Sequence, residues 1–328
     1  MAHPHPTFGI MFRCQYPPEQ LITFARQAET AGFDELWIVE DCFFAGGIAS
    51  TTVALASTQT ITVGLGIMPA VARNPAFVAM EIAVLARFYP GRLLPGFGHG
   101  VADWMRQVGA FPTSQLKALE EVTYVVRELL AGKTVGFSGQ HVQLDQVKLD
   151  FPPDVIPPVA LGVRGPKSLQ MSGRVADGTI IPEGSSPAYV AWTRQQIDAG
   201  KTDENRPHRL TVYAWVSVDQ DGPASRQRLR PVLAGMLTGS EINSQIDPLG
   251  IVPEVKQMLE RGGRAELEQH MPDAWINELA IAGTPQECAA AVRRLIAAGA
   301  DAIVFVPPLD QGREQLDLIA REVLPLVR

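Results

Sequence analysis

The chain has 328 residues, of which 46% are hydrophobic and 19% charged, with a formal net charge of -7. That composition belongs to a folded globular protein with a sizeable core, and the acidic balance, with no Lys/Arg run, argues against a nucleic-acid partner. Three widely spaced cysteines, Cys14, Cys42 and Cys288, lack the spacing of a zinc site or a disulfide framework, which suits a cytoplasmic setting. The first residues, Met1 to Pro6, carry no signal-like apolar core, and no apolar run reaches the roughly 20 residues of a membrane helix.

Short apolar, β-rich runs recur at residues 8–12, 35–39, 62–67, 92–98, 158–163, 178–181, 210–218 and 301–306, each followed by a segment of helical periodicity. Alternation of this kind predicts parallel strands joined by crossover helices, closed as an eight-stranded (β/α)8 TIM barrel of the α/β class. The helices announce their ends. Leu21, Phe24, Ala25 and Ala28 recur at helical spacing before Gly32, and Val292, Leu295 and Ile296 before Gly299. Asn74-Pro75, Ser186-Pro187 and the capping box Thr284-Pro285-Gln286-Glu287 mark helix starts. Residues 133–147 read as a hairpin after a long helix over 113–131, and 222–272 as extra helices and a loop. Both are taken as insertions in one domain spanning 1–328.

A barrel places its chemistry at the C-terminal ends of its strands. Those ends read Arg13-Cys14, Glu40-Asp41-Cys42-Phe43-Phe44, Gly66-Ile67-Met68-Pro69, Gly98-His99-Gly100, Val163 to Lys167, and Pro182-Glu183-Gly184. They are rich in glycine and hold no nucleophile-and-base pattern, no H-E-x-x-H and no G-x-S-x-G, so a planar cofactor lying on bare backbone suits them better than hydrolysis. Val163, Arg164, Gly165, Pro166 and Lys167 form a strand end running into a helix whose first turn holds Pro166. That is an anion site or, equally, a plain Gly-Pro helix start with solvated charges. Asp41 serves as a catalyst, a cap or an ion-pair partner on the same pattern, and His99 as a cofactor donor or a loop histidine. Cys42 has no nearby cation to lower its pKa and reads as inert wall. Phe43, Phe44 and Trp104 read as apolar pocket wall, with Phe97 either wall or core.

Taken in order, several segments resemble the luciferase-like oxidoreductases, and within them the branch that uses the deazaflavin coenzyme F420. They are Phe33 to Trp37 with Glu40-Asp41; Val63 to Pro69 followed by Arg73-Asn74-Pro75; Gly91-Arg92 with Gly96 to Gly100; Arg164 to Lys167 with Ala176-Asp177-Gly178; and Ala282 to Pro285. The resemblance implies a cofactor-binding set of Asp41, Gly66, Ile67, Gly98, His99, Gly100 and residues 163–167, with the cofactor phosphate on the 163–167 loop and a cis peptide between Gly66 and Ile67. It also implies a small organic substrate and a homodimer. Sugar-phosphate dehydrogenases of that branch carry a His and a Glu where this chain has Cys42 and Val101, so their proton-transfer pair does not carry over. Asp41, His99 and Glu183 remain the catalytic candidates. An FMN-dependent monooxygenase and a redox-silent flavin-binding barrel are the alternative readings.

Overall fold

The computed structural model describes residues 5–239 and 243–328; residues 1–4, the start of the N-terminal segment considered above, and 240–242, part of the second insertion, lie outside it. The strands in chain order are β1 (Thr7–Phe12), β2 (Glu35–Ile38), β3 (Thr62–Pro69), β4 (Leu93–Gly98), β5 (Val135–Ser138), β6 (Gln143–Val147), β7 (Ala160–Gly162), β8 (Gly178–Ile181), β9 (Arg209–Val218), β10 (Ile281–Gly283) and β11 (Ala302–Val306). Eight of them, β9-β11-β1-β2-β3-β4-β7-β8, pair in parallel, and β8 pairs back onto β9 to close a (β/α)8 barrel. All eight runs read from the sequence are barrel strands.

The fifth run shrinks to Ala160–Gly162, since Pro157 and Pro158 cannot donate to a ladder. The sequence reading missed β10. It is three residues long and pairs in parallel with Val216–Val218, where β9 runs on beyond the barrel. Residues 135–147 form the expected antiparallel hairpin. Its turn is fixed by the buried carboxylate of Glu121, which accepts the N–H groups of Gln140, His141 and Val142 at 2.8, 2.8 and 3.0 Å. The second insertion carries helices Gly222–Leu237 and Val252–His270 around an apolar cluster of its own that includes Leu229, Leu233, Leu267 and Ile276.

Trp37 and Ile67 lie across the barrel interior, and glycines make room for them. A β-carbon on Gly64 would stand 2.4 Å from the Trp37 ring, and β-carbons on Gly98 and Gly162 would each stand 2.5 Å from the Ile67 side chain. These glycines are therefore packing positions. At the N-terminal end Glu35 is buried, paired with Arg209 and accepting hydrogen bonds from Thr7 Oγ1 and Trp37 Nε1 at 2.8 Å each. Trp37 meets Tyr213 edge to face at 5.4 Å, and Tyr213 Oη donates to Gly66 O at 3.2 Å. One packed column thus runs from the closed end of the barrel to the strand ends opposite.

Candidate functional site

A cavity of about 840 Å³ opens at the C-terminal ends of the strands. Met11 and Arg13 reach it from β1, Glu40 and Asp41 from β2, Gly66 and Ile67 from β3, His99 to Ala102 from β4, Val163 to Gly165 from β7, Glu183 from β8, and Tyr213 and Trp215 from β9. Its size falls in the range of small-molecule and cofactor sites.

The two acids after β2 have separate duties. Glu40 is clamped by Arg73 through two bonds, at 2.5 and 2.7 Å, and accepts the Gly47 N–H at 2.6 Å. Asn74, next in sequence, caps helix Pro75–Phe88 by accepting from the Ala76 N–H. The Arg73-Asn74-Pro75 motif is thereby spent on structure. Asp41 has no cation within ion-pairing distance among the described residues, and accepts the Cys14 thiol at 3.3 Å. Burial first, and then Asp41, pushes the Cys14 thiol up to about 12. Cys42 lies outside the cavity lining, its thiol also raised, by burial and by Glu40 and Asp41.

His99 bridges two elements, with Nδ1 3.3 Å from Gln115 O and Nε2 3.1 Å from Ser168 Oγ. A carbonyl can only accept, so Nδ1 carries a proton and donates to Gln115 O. Glu183 lines the cavity and its carboxyl is in no ion pair among the described residues; burial raises its carboxyl pKa, its own backbone N–H, Arg13 and Arg164 pull the other way, and Asp41 adds to the rise. Arg13 stacks over Trp215 at 4.9 Å and donates one bond to Pro307 O at 3.1 Å.

Of the 163–167 loop, Val163, Arg164 and Gly165 line the cavity, while Pro166 and Lys167 are exposed and begin helix Pro166–Val175 outside the lining. Tyr189 Oη holds the loop by donating to Arg164 O at 2.7 Å. Gly165 offers no side chain to cap the first turn, and a β-carbon there would meet nothing within 4 Å. Gly98 also stands outside the lining, because Ile67 occupies the space in front of it. The Gly66–Ile67 peptide is cis, as expected, and so is Cys42–Phe43, which was not.

Phe43 and Phe44 are not pocket wall. A turn closed by the Phe44 N–H on Asp41 O, at 3.0 Å, sends both rings to solvent, 66% and 53% exposed. Trp104 does line the cavity, and Phe97 is core. Sequence reasoning set Arg13-Cys14 among the strand ends but gave them no role, since they form no motif. It also missed Tyr213 and Trp215, although their spacing of two on β9 was a readable signal for one face of a strand.

The sequence profile described as luciferase-like monooxygenase matches residues 7–302. The chain belongs to the luciferase-like monooxygenase family. It is 28% identical over 332 aligned residues to a 5,10-methylenetetrahydromethanopterin reductase of Archaeoglobus fulgidus, covering 98% of this chain and 99% of the relative. It is also 28% identical to an F420-dependent glucose-6-phosphate dehydrogenase of Kineococcus radiotolerans, covering 96% and 94%. Among solved structures it resembles the coenzyme F420 dependent tetrahydromethanopterin reductase of Methanopyrus kandleri, with a TM-score of 0.86, 22% identity and coverage of 99% and 100%. An F420-dependent secondary alcohol dehydrogenase in complex with an F420-acetone adduct matches with a TM-score of 0.79, 24% identity and coverage of 99% and 99%. Family membership and fold agree with the resemblance read from the sequence.

Proposed function

We propose that this luciferase-like chain is an oxidoreductase that uses coenzyme F420 to transfer hydride to or from a small organic substrate. Proteins named for F420 match it over nearly their whole length, but the observation that carries the reading is the cavity itself. The three-ring deazaflavin needs a long slot with an apolar floor and a place for phosphate, and the cavity runs from Ile67 to the uncapped helix start at Gly165, where space is open.

Ile67 and Gly66 would support the ring, and Asp41 would sit close enough to it to polarise it or to orient substrate. Backbone N–H groups at the start of helix Pro166–Val175, with Arg164 beside them, would hold the phosphate. His99, fixed by Gln115 and Ser168, would keep the glycine loop in place, and it and Gly100 would line the cofactor; Gly98 would act by seating Ile67, and Pro166 and Lys167 by starting the phosphate helix and adding charge. F420 supplies or accepts a hydride when bound, and the protein's part is orientation, dryness and proton handling, for which Glu183 is the acid in view. Mixing the protein with reduced F420 and a panel of ketones, imines and conjugated enals, and following the deazaflavin absorbance, tests the reading. Oxidation of F420 coupled to one substrate class is expected, and no coupled oxidation with any of them would contradict it.

The same proposal includes a homodimer and a cytoplasmic setting. Phe77, Met80, Val84 and Phe88 form an exposed apolar row at helical spacing on Pro75–Phe88, supporting pairing of two copies. Three free thiols support the reducing compartment. No helix among the described residues is long and apolar enough to cross a membrane.

A further inference from the structure

Arg13 is engaged less than other half-buried arginines. Arg73 is clamped on Glu40, Arg209 is paired with Glu35 and Arg194 with Asp301, while Arg92 and Arg206, without a carboxylate, bond to Ile61 O and Thr58 and to Gly173 O and Ala176 O. Arg13 has no carboxylate within 4.0 Å among the described residues, although Asp41 and Glu183 are near enough for their charges to act on it, and its only hydrogen bond is to Pro307 O. Stacking on Trp215 fixes the plane of the guanidinium at the cavity wall. A guanidinium has five N–H donors, and those that Arg13 leaves unused are open to the cavity, where a ligand oxygen could accept them. Glu183 stands in the same wall, its carboxyl accepting its own backbone N–H and in no ion pair among the described residues.

We propose that Arg13 receives the reacting oxygen of a carbonyl or alcohol substrate and that Glu183 exchanges the proton with that oxygen. The proposal rests on the hydride-transfer reading above and assigns its substrate class. In the reducing direction, hydride supplied by reduced deazaflavin adds to the carbonyl carbon, the carbon–oxygen π pair moves onto oxygen beside Arg13, and that oxygen takes the Glu183 proton. The resulting carboxylate is reprotonated from solvent. In the oxidising direction Glu183, as carboxylate, takes the hydroxyl proton, the oxygen–hydrogen pair becomes the carbon–oxygen π bond, and the carbon–hydrogen pair passes as hydride to oxidised deazaflavin. A fixed cation aimed at the oxygen stabilises charge that develops only during the reaction. The local charge argues for a neutral oxygen over a full anion. Of the cavity's two arginines, Arg164 is assigned to the cofactor phosphate and Arg13 already stands beside Asp41 and Glu183, so a permanent anion would face two carboxyl groups with no cation left over. A cationic iminium, which needs no proton on reduction, would leave Glu183 idle and would lie against Arg13.

The test is binding, read apart from turnover. Isobutyramide, a neutral carbonyl compound the size of a small ketone, is titrated against the protein, and tryptophan emission is followed because Trp215 touches Arg13; isobutyrate is the anionic control, and F420 affinity is measured on every variant. Saturable isobutyramide quenching is expected, with Kd raised about tenfold or more in Arg13→Met and partly restored in Arg13→Lys, as fits loss of a charge-assisted bond. Glu183→Gln should keep the binding, since its amide still donates. Equal Kd in Arg13→Met, no saturable binding by the parent, or a strong preference for isobutyrate would overturn the assignment. A parent that binds isobutyramide as expected but takes no F420 would instead overturn the cofactor reading. Trp215→Phe, which keeps the stack, should lose the signal and retain binding in a competition assay; loss of binding there too would count against Arg13 as the receiver.

Discussion

A β-carbon on Gly162 would stand 2.5 Å from Cγ2 of Ile67, the residue that forms the floor of the cavity. The glycine is there so that Ile67 can lie across the barrel mouth. Gly162→Ala should therefore displace Ile67, costing about 1–3 kcal/mol of stability by overpacking. Tm should fall by several degrees and F420 affinity should fall with it. A thermal melt and a cofactor titration matching the parent would show that the floor is free to move.

The phosphate site makes an ordered prediction. Gly165→Val would place branched carbons in the open space at the helix start, so F420 affinity should drop about tenfold or more. Lys167 is exposed and outside the cavity lining, so Lys167→Ala should cost at most about 1 kcal/mol, a loss that shrinks as salt rises. Dissociation constants at two ionic strengths check both. A larger loss at Lys167 than at Gly165 would move the phosphate elsewhere.

Asp41 gives a chemical readout that needs no cofactor. It accepts the Cys14 thiol, and burial with the nearby carboxylate pushes that thiol up to about 12. Alkylation of Cys14 by iodoacetamide near pH 8 should be far slower than for an exposed thiol, because only the thiolate reacts. Asp41→Asn should accelerate it. Mass spectrometry of the alkylated peptide decides, and an unchanged rate would mean that burial alone protects the sulfur.

Glu183 should leave a mark on stability. Burial raises its carboxyl above the ordinary value of 4.5, so the folded state holds a proton that the unfolded state releases. Its contribution is then fully present below that ordinary value and is lost as pH rises through the raised one. Glu183→Gln, which never ionises, should gain stability relative to the parent as pH rises above about 4.5. Urea midpoints measured across that range check it, and a constant difference would place Glu183 in ordinary solvent.

Much of the architecture could be read from periodicity. All eight barrel strands and the caps at Asn74, Ser186 and Thr284 follow from local chemistry that acts wherever those residues stand. The strand β10 escaped because three residues carry no period, and its pairing depends on how far β9 overruns the barrel. The site was legible only as a set of strand ends. Glycine marks close approach without saying to what: at Gly165 the space is open, whereas at Gly98 and Gly162 it is filled by Ile67 from a different strand. Glu40 and Asp41 are adjacent in sequence and both reach the cavity, and only the position of Arg73 and Cys14 in space tells the acid clamped by a cation from the one left without. Phe43 and Phe44 were misjudged for the same reason, since aromatic character does not reveal which way a turn points.

Equilibrium binding of F420 against FMN tests the account most directly. One F420 per chain is expected, with an affinity about 100-fold or more above that for FMN and weakening as salt is raised. FMN binding as tightly as F420, or F420 failing to saturate the protein, would contradict the account.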